Sequence, residues 1–149
     1  MNKIRVKILK NGSKLYHLKK ATEGSAGFDL IAANFDNIDL LPNSSVLVPC
    51  GFSLELPKSF EAQVRPRSGL ALKKMITVLN SPGTIDSDYR GEICVILINH
   101  STNIFIVERG MRVAQLIFSE IPKFQLMEVE QLNNTHRGKG GFGSTGLKS

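Results

Sequence analysis

Apolar and polar residues alternate with a period of two in some stretches of the chain, and short apolar, strand-like runs recur between turns in others. Between Lys3 and Leu9, Ile4, Val6 and Ile8 fall on one face and Lys3, Arg5 and Lys7 on the other. That pattern predicts a half-buried strand. Similar short runs recur at Ala26 to Ala33, at Ser45 to Leu56 with a break at Pro49-Cys50-Gly51, and at Phe60 to Val64. Four more follow at Met75 to Leu79, Ile93 to Ile98, Ile104 to Val107 and Val113 to Phe118, with a weaker last strand at Pro122 to Val129. Turn-forming residues punctuate the series at Glu23-Gly24-Ser25, Asn34 to Ile38, Pro57-Lys58-Ser59 and Glu108-Arg109-Gly110. One stretch has helical composition, Arg65 to Lys74. Ser68 suits an N-cap or first-turn position there, and Leu70, Ala71, Leu72 and Lys73 are good helix formers. Many short strands, regular turns and one short helix predict an all-β barrel or sandwich.

Two segments depart from this pattern. The first is Asn80-Ser81-Pro82-Gly83-Thr84-Ile85-Asp86-Ser87-Asp88-Tyr89-Arg90-Gly91-Glu92. Apolar runs flank it and Pro82-Gly83 is a turn signal, so it reads as a hairpin with carboxylates, a tyrosine and an arginine near its tip. A solvated turn uses the same residue types, so this stretch decides nothing by itself. The second is Gln131 to Ser149, which has no hydrophobic periodicity and carries five glycines between Arg137 and Gly146. Glycine has a high ordering entropy and no side chain to pack. The chain therefore divides into a β domain over 1–130 and a flexible arm over 131–149.

Composition narrows the partners. A chain of 149 residues with 42% hydrophobic content fits one domain with a real core. The net charge of +6 favours an anionic partner without saying which. No basic run or stripe of interleaved aromatics suggests nucleic acid. No apolar run reaches the roughly 18 residues of a membrane span, and the first twenty residues lack a signal-like apolar stretch. A cytoplasmic protein is expected. Cys50 and Cys94 lie in apolar strands and are expected to be buried free thiols, with no zinc-like spacing.

Three places suit phosphate. In the Gly-rich arm, backbone N–H groups can approach anionic oxygens, with Arg137, Ser144 and Thr145 as further donors and Phe142 as a ring for a base. The arm is not a P-loop, because the Lys-Ser/Thr ending and the flanking strand and helix are missing. Arg65-Pro66-Arg67-Ser68-Gly69 would place guanidinium groups beside a helix start. Gln115 sits in an apolar strand, where its amide must find a backbone or ligand partner. Asp29, inside another strand, needs a partner for the same reason. Carboxylates near a polyphosphate serve as a base for water or as a magnesium contact. The residues alone stop at a magnesium-dependent nucleotide binder or hydrolase.

From Ala21 to Gly146 the chain closely resembles the trimeric deoxyuridine triphosphatases (dUTP pyrophosphatases). Five motifs of that family occur in order: Ala26-Gly-Phe-Asp-Leu-Ile-Ala, Arg65-Pro-Arg-Ser-Gly-Leu-Ala, Asn80 to Glu92, Gly110-Met-Arg-Val-Ala-Gln-Leu, and Arg137 to Gly146. The resemblance implies a jelly-roll-like β-barrel and a homotrimer with active sites shared between subunits. It implies hydrolysis of dUTP to dUMP and pyrophosphate with Mg2+ on the triphosphate, which keeps uracil out of DNA and supplies dUMP for thymidylate synthesis. By motif position, Asp86 would activate the water, Asn80 would read uracil, and Tyr89 would lie against the deoxyribose and exclude a 2′-hydroxyl. Arg67, Ser68, Gly69 and Gln115 would contact phosphates. Arg137, Ser144 and Thr145 would hold the outer phosphates, Gly143 would be a further substrate contact, and Phe142 would stack on uracil. Asp29 would be structural or would support the site from behind.

The chain departs from the family pattern at Lys74-Met75, where a pair such as His-Gly is common. Met75 adopts positive φ less cheaply than Gly, so the turn after the helix is expected to differ. Two rivals remain: a dCTP deaminase of similar fold, which needs a catalytic Glu near C4 of cytosine, and a protein that senses dUTP without turnover. Ammonia release from dCTP would favour the first.

Overall fold

A computed structural model describes residues 3–16 and 20–141. Eleven strands and one α-helix form among them. In chain order these are β1 (Arg5–Ile8), β2 (Phe28–Ile31), β3 (Ile38–Leu40), β4 (Ser45–Pro49), β5 (Phe52–Glu55) and β6 (Phe60–Arg65). Helix α1 (Ser68–Lys74) follows, then β7 (Ile76–Val78), β8 (Gly83–Ile85), β9 (Cys94–Asn99), β10 (Phe105–Val107) and β11 (Arg112–Glu120). The expected strand runs are present up to Phe118, with β6, β9 and β11 extending one or two residues past the expected ends and the others shorter than expected.

All pairings are antiparallel. The larger sheets run β2-β11-β6-β8 and β4-β9-β7, and β1-β5 and β3-β10 form two-stranded ribbons. The strands therefore make four separate sheets, and no closed barrel forms among the described residues. Most strands span only three to six residues. Left-handed turns at Asn43, Gly51 and Gly110 redirect the chain before neighbouring ladders can join. One core is shared by all four sheets. Leu30 and Leu116 enter it from the first sheet, Val48 and Leu97 from the second, Leu54 and Val107 from the ribbons. Each such side chain contributes about 1.5–3 kcal/mol on leaving water. Asn99, fully buried, is satisfied: its Nδ2 donates to the carbonyls of Leu40 (3.0 Å) and Asn103 (2.8 Å), and its Oδ1 accepts from Ser101.

Three features differ from the sequence expectation. First, β8 occurs inside a stretch read as a hairpin turn, and β3 begins at the last residue of another and continues past it. Both are three-residue strands, too short for their own periodicity to register, and they form because a partner strand is available. Second, Pro122 to Val129 forms no strand. Past Glu120 the described chain has no regular structure, and Phe124, Leu126 and Met127 are 78%, 98% and 80% exposed. Among the described residues this segment pairs with no sheet edge, so no ladder stabilises it. Third, the turn after α1 keeps its left-handed geometry despite lacking glycine: Met75 caps the helix at φ 55°, ψ 32°, and its N–H bonds back to Ala71.

Candidate active site

The Asn80 to Glu92 segment does more than turn. Strands β7 and β9 pair with Val78 opposite Leu97, as a hairpin requires. Between them the chain leaves that sheet, and β8 adds to the edge of β6, with Gly83 opposite Val64. A cavity of about 230 Å³ opens where the excursion spans the two sheets. Its apolar wall comes from Leu47, Val64 and Ile96, and its polar rim from Asn80, Asp86, Tyr89 and Glu92. Gly83 lies close to Asn80: a Cβ at that position would sit 3.1 Å from Nδ2. The Tyr89 N–H donates to the Asp86 carbonyl (3.2 Å), forming a tight turn that brings the Asp86 carboxylate and the Tyr89 ring to one rim. The Tyr89 hydroxyl donates to the Glu92 carbonyl (3.0 Å), and its ring lies over Gly91.

Cys94 also lines this cavity. Both cysteines are free, but only Cys50 is buried; Cys94 is half-buried, which corrects the expectation of two buried thiols. Alternation explains the difference, since Cys94 faces the cavity while Ile93 and Val95 beside it face the core. Burial, with the Glu92 carboxylate nearby, pushes the Cys94 thiol up, so it stays neutral at physiological pH.

A second cavity, of about 340 Å³, is polar. Asp29 on β2, Gln115 on β11, and Arg67, Ser68 and Gly69 at the start of α1 line it. The β2–β11 register places Asp29 opposite Gln115. Asp29 finds the partners its strand position demands. Its Oδ1 lies 3.3 Å from Arg67 Nε and its Oδ2 accepts from Arg112 Nη1 at 3.3 Å. Arg67 Nη1 also donates to the Arg112 carbonyl (3.1 Å), so its guanidinium is held from two sides. Gln115 Nε2 donates to the Pro66 carbonyl (3.0 Å), tying β11 to the bend before α1. Ser68 is a first-turn residue, not the N-cap, which is Arg67. This cavity combines one cation, Arg67, with the Ser25 and Ser68 hydroxyls and the backbone N–H groups at the start of α1, a donor set that suits anionic oxygens.

The two cavities share no lining residue. Arg137 lines neither: its Nε donates to the Gly140 carbonyl (2.8 Å) in an exposed local turn. Phe142, Gly143, Ser144 and Thr145 lie outside the described residues. Sequence reasoning passed over Arg112 and Glu92. Arg112 is an ordinary strand residue until the register sets it beside Asp29, whereas Glu92 adjoined the hairpin tip and was open to selection as a second carboxylate.

The dUTPase family model matches residues 14–146. The chain belongs to the dUTPase family. It is 55% identical over 148 residues to the deoxyuridine 5'-triphosphate nucleotidohydrolase of Rickettsia prowazekii (strain Madrid E), covering 99% of this chain and 100% of the relative. The enzyme of that name from Rhizobium rhizogenes (strain K84 / ATCC BAA-868) is 53% identical over 128 residues, 85% of this chain and 82% of its own. The dUTPase fold extends to more distant proteins. A mutant Staphylococcus bacteriophage 80alpha dUTPase with dUpNHpp superposes with a TM-score of 0.82 at 22% identity, over 99% of this chain and 100% of the other. A mutant dUTPase from phage phi11 of S. aureus, studied for the coordination of a structural Mg(II) ion, gives a TM-score of 0.78 at 18% identity, over 89% and 100%.

Proposed function

We propose that this dUTPase hydrolyses dUTP to dUMP and pyrophosphate by attack of water on the α-phosphorus. The observation that carries the proposal is the rim on which Asn80, Asp86 and Tyr89 stand around one cavity. Asp86 takes a proton from the water, the water oxygen bonds to the α-phosphorus, and the bond to the bridging oxygen breaks to release pyrophosphate. Asn80 and the hairpin backbone read the uracil edge, and a tight wall refuses a 5-methyl group. Tyr89 lies against the deoxyribose and leaves no room for a 2′-hydroxyl. Arg67, Ser68, Gly69 and Gln115 hold phosphate oxygens as charge develops on them. Asp29 positions Arg67.

The same geometry supports a homotrimer with shared sites. One dUTP needs both donor sets, yet the uracil-type cavity and the phosphate-type cavity are separate in a single chain. Joining the cavity of one copy to that of the next completes a site. The exposed apolar residues past Glu120 support this, since Leu126 and Leu132 are covered only if another copy lies against them. Residues 131–149 then act as an arm closing over a neighbouring site, with Arg137, Ser144 and Thr145 on the outer phosphates, Gly143 beside them and Phe142 on uracil. Four sheets around one core support a jelly-roll-like barrel. The donor set at Arg67, Ser68 and Gly69 suits a triphosphate that would bring its own Mg2+, held through phosphate oxygens and waters. When bound, the ion neutralises triphosphate charge. Two free thiols support a cytoplasmic location, where the enzyme would limit uracil in DNA and supply dUMP for thymidylate synthesis.

The test is pyrophosphate release compared for dUTP, dTTP, UTP and dCTP. Strong preference for dUTP is the expected result. Ammonia from dCTP, or equal rates with UTP and dTTP, would overturn the proposal.

A further inference from the structure

An N-terminal turn, outside every motif and before the family match begins at residue 14, is wired to the Tyr89 rim. The 3-10 turn Lys10–Gly12 lies against the turn between β4 and β5. Their backbones touch: a Cβ on Gly12 would stand 2.0 Å from the Gly51 carbonyl oxygen, and one on Gly51 2.3 Å from the Gly12 Cα. At this crossing Glu92 Oε1 accepts from Asn11 Nδ2 and from the Gly51 N–H, both at 2.7 Å. Asn11 is itself fixed, because Arg109 Nη2 donates to its carbonyl at 2.6 Å. Arg109 Nη1 donates to the Ala33 carbonyl (3.0 Å) and lies 3.3 Å from that of Asn34. Glu92 then presents its own carbonyl to the Tyr89 hydroxyl.

We infer that Glu92 is a positioning residue, clamped by Asn11 and the Gly51 N–H, that sets the Tyr89 ring and through it the enzyme's discrimination between deoxyribose and ribose. The inference rests on the reading of Tyr89 as the sugar gate. A carboxylate suits the task. One oxygen accepts two short bonds without needing a donor of its own, and charge-assisted bonds are stiffer than neutral ones. Removing the clamp lets residue 92 relax, and with it the acceptor that holds the Tyr89 hydroxyl. Loss of one such hydrogen bond corresponds to about a threefold to tenfold change.

The experiment compares kcat/KM for dUTP and UTP in wild type, Asn11→Ala, Glu92→Ala, Glu92→Gln and Tyr89→Phe, with thermal melting to match folded fractions. Asn11→Ala and Glu92→Ala should each lower the dUTP-to-UTP ratio about threefold to tenfold. Glu92→Gln keeps an acceptor oxygen and should recover most of the ratio. On a Tyr89→Phe background, Asn11→Ala should change the ratio no further, because both act on one bond. A merely structural role would scale both substrates together and leave the ratio fixed. Wild-type ratios in folded Asn11→Ala and Glu92→Ala would overturn the inference. So would additive effects in the double variant. A wild type that does not itself prefer dUTP over UTP would instead sink the proposed function.

Discussion

The proposed Tyr89 gate can be displaced from its other side by one methyl group. A Cβ built at Gly91 meets Tyr89 Oη at 2.3 Å, Cζ at 2.5 Å and Cε2 at 2.9 Å. Ordinary van der Waals contact begins near 3.4 Å, so Gly91→Ala must push the hydroxyl end of the ring by at least ~1 Å. The backbone can stay where it is, since Gly91 is not among the positive-φ glycines. Tyr89 is 45% exposed, so the ring swings toward solvent instead of straining the core. The main loss to stability is one exposed hydrogen bond to the Glu92 carbonyl, about 1 kcal/mol or less, or a melting shift of about 2–4 °C. The loss to function is larger, because a misplacement of ~1 Å at a substrate-positioning group costs up to about 100-fold. Steady-state kcat/KM for dUTP and UTP, read by pyrophosphate release, should show the preference for dUTP falling by about tenfold to 100-fold. A folded Gly91→Ala enzyme with the wild-type ratio would refute the gate, since the ring cannot stay in place beside the new methyl.

Other perturbations probe separate parts of the site and fold. Asp86→Asn should lower kcat by about 10²–10⁴ while calorimetry shows dUTP still bound; near wild-type turnover would remove Asp86 as the base. Deleting residues 131–149 should leave a trimer by sedimentation with little activity; full activity in the truncated chain would make the arm a mere tail. Met75→Gly should stabilise the chain by about 0.5–1 kcal/mol in urea unfolding, because it relieves a left-handed residue 54% exposed to solvent. Stability should also fall in alkali. Burial raises both the Cys50 thiol and the Tyr16 hydroxyl, so the folded chain keeps protons that the unfolded chain gives up. Their contribution is intact below the unfolded values, 9.0 and 10.0, and is lost as pH rises above them, by up to about 1.4 kcal/mol per pH unit per group. Urea midpoints at pH 8 and pH 10 measure it, and Cys50→Ala should flatten the slope.

The period-two pattern made the strands legible because each buried face writes itself into its own sequence. The arrangement of the strands was not legible, because it depends on which edges find each other. Gly83-Thr84-Ile85 is a strand only because β6 offers an edge, and Pro122 to Val129 is none because no edge of the same chain is offered. The same limit governed the site. Asp86 and Tyr89 drew roles only from the ordered set of five motifs, since a solvated turn uses the same residue types. Asn11 gave no local sign, since a lone Asn in a polar turn is ordinary until its amide is placed 2.7 Å from Glu92, 81 positions away. The separation of the two cavities carries this one step further. Asn80, Asp86 and Tyr89 line one cavity and Arg67, Ser68 and Gln115 another, with no lining residue in common. Strand β8 at the first cavity and strands β2 and β11 at the second belong to one sheet, so under the proposed function the assembly of copies has to join two sites that a single sheet holds apart.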